Sequence, residues 1–345
     1  MSAGGPREGR GEVGRLSCGF DLERAFAAPR NIPVESLAAM LACPDAGFEA
    51  ELFAAARELK RRLGKDEVLP RGLIECSNVC AKDCLYCGIR KSNGRVTRYR
   101  LPESEVLAAI EEARRRGYPA VAFQAGEIES EENTRYYERL LGACCGLEVT
   151  LSLGEQEEGV YRRWKAAGAL RYLIRIETSN RELYARLHPP ACSFDRRVGC
   201  IRTLKRLGYV TGTGVMIGLP GQTAEDLARD IVFFGDERVD MVGMGPFIPH
   251  PETPVGEVEK LKGAEVEKLG DCGDGKLRLS LRMIALTRLY LHDVNIVAAT
   301  ALEALDPEAG RERGLAAGAN VIMPNLTAAS ARQNYNLYPG KVAAS

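Results

Sequence analysis

From residue 71 onward the chain alternates short apolar runs with longer amphipathic stretches. The apolar runs are 71–76 (RGLIEC), 119–124 (PAVAFQ), 147–152 (LEVTLS) and 170–176 (LRYLIRI), then 209–217 (YVTGTGVMI), 239–244 (VDMVGM), 294–300 (VNIVAAT) and 319–323 (ANVIM). Short apolar runs bounded by turn residues have the pattern of strands buried on both faces. The stretches 102–116, 157–167, 195–207, 223–234 and 277–291 carry apolar residues every three to four positions and predict helices. Strand–helix alternation implies a parallel sheet, and eight repeats predict an α/β fold of the (β/α)8, TIM-type barrel class. A doubly wound sheet is the weaker alternative, because no GxGxxG follows the first run. Upstream, Asp21 to Gly64 has helical spacing, with acidic residues early and basic residues late. The expected division is a disordered Gly/Arg-rich tail over 1–20, N-terminal helices over 21–70, the barrel over 71–325 and a C-terminal segment over 326–345 closing the barrel. Residues 254–276, with EVEKL twice and then GDCGDG, break the rhythm and read as a polar surface insertion.

Composition narrows the function classes. The 47 Lys and Arg balance 47 Asp and Glu, so bulk electrostatic binding of nucleic acid or an anionic membrane is not expected. No run of 18 apolar residues predicts a membrane span, and MSAGGPREGRGEVGR has no apolar secretory region. The expected compartment is therefore the cytoplasm. In a reducing compartment, 11 cysteines are expected to be free thiols or metal ligands rather than disulfides. The three histidines, His188, His250 and His292, form no HxH or HxxH pair, so a histidine-built metal site or a Ser–His triad is not expected. Trp164 sits in a helical pattern and reads as a packing residue.

The run SNVCAKDCLYCGIR follows the first predicted strand and sets Cys80, Cys84 and Cys87 in a CxxxCxxC spacing. Three thiolates on one short loop can wrap an iron–sulfur cluster, which favours soft sulfur ligands. With three ligands and no evident fourth, one iron keeps an open position. Zinc usually shows paired CxxC units, and no second pair exists here. Near the end of the fourth predicted strand, Arg175 and Glu177 lie two residues apart and share a face. They can form a structural ion pair or meet a charged ligand. Gln124, Thr150 and Ser152 end the second and third predicted strands, and Thr300 ends the seventh. These are short neutral donors and acceptors, suited to ribose hydroxyls or small diatomic ligands or to ordinary capping.

The CxxxCxxC motif, with Tyr86 before its third cysteine, is similar to the signature of the radical S-adenosylmethionine (SAM) superfamily. That resemblance implies one [4Fe–4S] cluster on Cys80, Cys84 and Cys87, with S-adenosyl-L-methionine chelated by the fourth iron. It also implies reductive cleavage of SAM to a 5′-deoxyadenosyl radical. Gly126 and Glu127 of FQAGE resemble the element that receives the methionine amino group, and 214–223 (GVMIGLPGQT) resembles the glycine stretch near the adenine. Longer runs resemble the biotin synthase-like subgroup, and most of all the HydE family of [FeFe]-hydrogenase maturases. These include ECSNVCAKDCLYCGIR, TLSLGE, AAGALRYLIRIETSN, LGYVTGTGVMIGLPGQT, DMVGMGPFIPHPETP and LYPGK. The resemblance spans about residues 35–341. It implies an iron–carbonyl–cyanide–cysteine substrate, transient contact with other maturases, and a reductant such as ferredoxin or flavodoxin.

By the same resemblance Glu177 contacts SAM, Arg197 pairs with its carboxylate, and Arg175 anchors the substrate; by position and chemistry Ser152 is read as a further cofactor contact, and Gln124, Thr150, Thr300 and Tyr338 as surrounding the substrate. The chain departs from the family pattern in three places. No cysteine follows Cys272, so no second cluster is expected there. Ala299–Thr300 replaces a threonine pair, and Ile176 replaces a histidine seen in some members. Two alternatives stay open: a biotin synthase or methylornithine synthase type of reaction on an amino-acid-like substrate, and a nonenzymatic iron–sulfur carrier or scaffold.

Overall fold

The computed structural model describes residues 20–261 and 273–341. Ten strands form in chain order: β1 (Leu69–Ser77), β2 (Ala120–Ala125), β3 (Glu148–Ser152), β4 (Ala169–Leu173), β5 (Val210–Thr213), β6 (Met216–Ile217), β7 (Met241–Val242), β8 (Gly245–Pro246), β9 (Asn295–Ile296) and β10 (Val321–Ile322). Eight of them make one parallel sheet in the order β10-β1-β2-β3-β4-β5-β7-β9. A Val297–Val321 bridge closes the ring, helped by Asn320 N–H on Ile296 O at 3.0 Å and Ala298 N–H on Val321 O at 2.9 Å. The fold is a TIM-type (β/α)8 barrel.

Several predicted elements need correction. The run 209–217 is not one strand: β5 stops at Thr213 and β6 pairs separately with β8. Gly214 is the reason, because a Cβ there would lie 1.9 Å from Gly243 O, so two backbones pinch together at this point. The run 239–244 divides in the same way into β7 and β8. Pairing in 170–176 ends at Leu173. In 294–300 the strand ends at Ile296, with the Val297 bridge just beyond it, so Thr300 does not close a strand but opens the helix Thr300–Leu305. Two crossover helices, Glu131–Gly142 and Arg181–Leu187, were not among the predicted stretches. The segment 254–276 contains the helix Pro254–Leu261 and the start of the helix Gly273–Leu291, while 262–272 lies outside the described residues. The tail 1–19 and 342–345 also lie outside them.

Two apolar layers fill the space between strands and helices. One joins the N-terminal helices Val34–Ala42 and Ala46–Arg62 to Gly273–Leu291. The other lies behind β1 to β4. Buried cations are satisfied by carbonyl oxygens, as burial of charge requires. Arg288 is fully buried and donates to the carbonyls of Gly318, Val294 and His292. Lys60 donates to Leu315 O at 2.9 Å. In the second layer Trp164 is fully buried, donates Nε1–H to Thr134 O at 3.1 Å, and stacks on Tyr172 with centroids 6.3 Å apart. Truncating a buried aromatic leaves both a cavity and, here, an orphaned carbonyl. Trp164→Ala is expected to lower the unfolding free energy by about 3–5 kcal/mol, read as a shifted urea midpoint.

Candidate functional site

Eight parallel strands direct their C-terminal ends to one mouth of the barrel, where catalytic side chains of this fold collect. A cavity of about 320 Å³ opens there. Cys80, Cys84, Cys87, Tyr86, Gly126, Glu127, Gln124, Thr150, Ser152, Arg175, Glu177, Arg197, Thr300 and Tyr338 all line it. The side chains singled out in the sequence therefore share one space. Sequence reasoning missed Lys82, Glu155 and Lys341, although each lies inside a run already noted: CAKDC, TLSLGE and LYPGK.

The thiol loop is shaped by two charged side chains. Asp83 accepts both arms of Arg90, at 2.9 and 2.8 Å, and the Ser92 N–H at 3.0 Å. Arg98 donates to the carbonyls of Asn78 and Ile89, each at 2.8 Å. These bonds cross-link a segment that has no strand or helix of its own.

The loop docks on the end of β2 through Gly126 and Glu127. Gly126 N–H donates to Ser77 O at 3.0 Å, and Ala81 N–H to Glu127 O at 2.8 Å. Glu127 N–H points at Cys80 Sγ at 3.3 Å, a contact that favours a thiolate. Gly126 allows this approach, since a Cβ there would sit 2.3 Å from Val79 O and 2.8 Å from Cys80 Cβ.

Around the loop lies a buried network of charge. Lys82 pairs with Glu127 at 2.9 Å and Glu155 at 3.5 Å. Arg197, expected at the cofactor, is buried; it pairs with Glu155 at 2.6 Å and with Glu127 at 3.8 Å. Burial pushes the Glu127 carboxyl up, only partly offset by Arg197. For Glu155, burial acts upward too, but Arg197 and Lys82 outweigh it and hold the carboxyl below its ordinary value. The same acids reverse the effect of burial on Lys82 and keep its ammonium protonated.

Arg175 and Glu177 form an ion pair at 2.9 Å, and Arg175 also donates to Val215 O at 2.8 Å. They do not lie on a regular strand, because Glu177 has φ 66°, in the left-handed region. An L-residue there is strained by about 1–2 kcal/mol, so the surroundings must hold it. Two backbone bonds do so, Glu177 N–H to Gly214 O and Met216 N–H to Glu177 O, both at 3.0 Å. Behind the turn, buried Asp230 accepts the Ser179 N–H at 2.6 Å. Ile176 is buried among the helices, away from the cavity.

Tyr86 lies edge-on to His188 with centroids 5.4 Å apart. His188 bonds Tyr184 O through Nδ1 at 2.8 Å, and burial lowers its pKa to about 4. It is a neutral structural imidazole. His250 is buried too; its ring lies 2.6 Å from where a Gly88 Cβ would be.

Two features test whether the cavity fits the cofactors. The three thiols are free and partly buried; burial raises Cys80 and Cys87, the latter to about 12, and a hydrogen bond with Cys192, with burial behind it, raises Cys84. Buried thiols of this kind become good ligands once a metal replaces their protons. No three described His, Cys, Asp or Glu side chains converge on a point, as they would around a single ion. Three free thiols on one loop that line one cavity suit the separate irons of a cluster. In addition, the buried Thr150 Oγ1 and Arg175 Nε have no hydrogen-bond partner, which leaves donors for a bound molecule.

Comparison with known proteins agrees with this geometry. Residues 74–234 match the model of the Radical SAM superfamily. The chain is 44% identical over 319 residues to the [FeFe] hydrogenase maturase subunit HydE of Thermotoga maritima, covering 91% of this chain and 86% of that one. It is 26% identical over 292 residues to 3-methylornithine synthase of Methanosarcina acetivorans, covering 84% and 78%. Its fold is similar to the crystal structure of methylornithine synthase, with a TM-score of 0.76 at 22% identity over 88% of this chain and 85% of that one. The barrel and its thiol loop define the class: radical SAM enzymes, which use a [4Fe–4S] cluster and SAM. Within that class, the chain belongs to the HydE family of [FeFe] hydrogenase maturases.

Two predictions follow from the site's geometry. Gly126→Ala should push Val79 and Cys80 off the end of β2. Iron bound after anaerobic reconstitution should fall severalfold, measured by iron and sulfide analysis. The second concerns Asp230, whose carboxyl burial raises from 3.8 to about 7. A folded-state pKa above the unfolded one adds stability that is full below pH 3.8 and is lost as pH rises through about 7. At about 1.4 kcal/mol per unit, the loss is at most about 4 kcal/mol. Asp230→Asn, which keeps the acceptor for Ser179, should flatten the dependence of unfolding free energy on pH across this window.

Proposed function

We propose that this chain holds one [4Fe–4S] cluster on Cys80, Cys84 and Cys87 and cleaves SAM beside it. The product radical then acts on an iron–carbonyl–cyanide–cysteine species during assembly of the hydrogenase H-cluster. When bound, the cluster and SAM supply one-electron cleavage of a sulfonium carbon–sulfur bond to a 5′-deoxyadenosyl radical. The protein's part is binding, orientation and exclusion of water.

One observation carries this reading: three free thiols share a cavity with Thr150 Oγ1 and Arg175 Nε, both buried and without a partner. In this reading Gly126 and Glu127 receive the methionine ammonium, and the buried Arg197 guanidinium receives its carboxylate. Ser152, Tyr86 and Glu177 line the rest of the cofactor. Arg175, Gln124, Thr150, Thr300 and Tyr338 hold the substrate, with Arg175 meeting its negative charge. Residues 326–341 close the barrel mouth over it. The electron comes from a small reductant such as ferredoxin or flavodoxin, and contact with other maturases is transient. The balanced charge of the chain suits an enclosed small substrate better than a polymer. No described helix is long and apolar enough to cross a membrane.

The test uses anaerobically reconstituted protein with dithionite and SAM. The expected product is 5′-deoxyadenosine, with a cluster signal in electron paramagnetic resonance. Cys84→Ala should remove both signal and product to background; an unchanged spectrum would refute the ligand assignment. Addition of a synthetic iron–carbonyl–cyanide–cysteine complex should give an adduct or a low-valent iron signal. Turnover of an amino acid instead would favour chemistry of the methylornithine synthase type. A stable cluster with no SAM cleavage would favour a carrier.

A further inference from the structure

Glu75 is fully buried, near the C-terminal end of β1, and is gripped twice by the end of the chain. Its N–H donates to Thr327 Oγ1 at 2.8 Å. Its carboxylate is ion-paired with Lys341. Lys341 also donates to Tyr335 O at 3.2 Å and lies 4.3 Å from the centre of the Tyr335 ring. The other carboxylate oxygen of Glu75 has no hydrogen-bond partner. Residues 327–341 thus form a loop fastened at both ends to one strand residue.

That loop touches the thiol segment on either side of its cysteines. Asn334 O accepts Asn78 Nδ2–H at 2.8 Å, and Leu337 O accepts Gly88 N–H at 3.2 Å. Gly88 has no room for a side chain, because a Cβ there would lie 2.2 Å from Asn336 O. The opposite face of the loop presents Tyr335, Leu337, Tyr338 and Lys341 to the cavity. One strap therefore serves as a wall of the substrate space and as a brace for the cluster loop.

A buried ion pair is a poor device for stability alone, since well-packed apolar residues do as well or better. It does specify one arrangement, because a shifted strap would leave a buried charge unpaired. We propose that Glu75 and Lys341 are positioning residues: their clasp holds the strap in register with the thiol loop, so that SAM cleavage is coupled to a substrate seated against the strap. The distance between reacting groups decides whether a radical meets its target. The inference rests on the assignment of the thiol loop as the cluster site, but not on the identity of the substrate.

The test compares the full chain with Lys341→Met and with the double variant Glu75→Gln/Lys341→Met. The double variant removes the carboxylate that the single one leaves buried and unpaired, so it guards against simple misfolding. Hydrogen–deuterium exchange should quicken severalfold in peptides covering 86–90 and 334–340 in both variants. Exchange in β2 and β3 should be unchanged. In the loaded enzyme, 5′-deoxyadenosine formed per substrate consumed should rise severalfold. Wild-type exchange rates in both peptides of the double variant, or an unaltered ratio, would overturn the proposal. Absence of 5′-deoxyadenosine from the wild type would instead sink the function proposed above and the coupling with it, and the exchange result then decides only whether the clasp positions the strap.

Discussion

The docking of the thiol loop on the end of β2 is the constraint on which the rest of the site depends, and Glu127 carries most of it. Its N–H faces Cys80 Sγ, its carbonyl accepts the Ala81 N–H, and its carboxylate pairs with Lys82. Backbone and side chain of one residue thus hold three successive residues of the loop. The arrangement works only where neighbours leave space. Gly126 leaves it for Val79 and Cys80. Gly154, at φ +76°, leaves it for the Glu127 carboxylate, which would sit 2.1 Å from a Cβ there.

Burying Glu127 makes the surrounding charges necessary. A carboxylate in this position would be expensive alone, so Lys82 and Arg197 come with it, and Glu155 comes with them. Each member is ion-paired with another, and removal of one would leave a charge stranded, at a cost of about 3–5 kcal/mol. Arg197 extends the network further by donating to Arg175 O at 2.7 Å. The thiol loop, the ends of β2 and β3 and the strained turn at Glu177 are therefore one electrostatic unit. A change at any of its members should be felt at the cysteines.

Much of the barrel was legible in the sequence, because a strand buried on both faces is an apolar run and a crossover helix has its own period. What failed had two causes. The run at 209–217 is uniform in character, yet Gly214 meets Gly243 O, between β7 and β8 some thirty residues on, and no local pattern records that contact. The helix Glu131–Gly142 is rich in charge, so its inner face of Tyr136, Tyr137, Leu140 and Leu141 was hidden among polar neighbours. Candidate side chains were legible as a set, because a thiol spacing and strand ends are local features. Their partners were not. Arg197 and Glu155 are 42 residues apart and Lys341 and Glu75 are 266 apart, so only the closed ring brings them together.

Buried cations that only hold the fold can find all their partners within the chain. Away from the mouth, Arg288 has carbonyl partners and Asn320 Oδ1 at 3.0 Å, and Lys60 has Leu315 O at 2.9 Å. Those groups are complete without a ligand, as parts that only hold a fold should be. At the mouth the same chain tolerates an unpaired Thr150 hydroxyl, an unpaired Arg175 Nε and a left-handed Glu177. Such defects lower stability and persist only where the surroundings enforce them. The network of Glu127, Arg197 and Glu155 supplies that enforcement on one side of the cavity, and the strap fastened to Glu75 supplies it on the other. The cavity is thereby kept open and polar in the one region where three thiols can share a cluster with a small charged molecule.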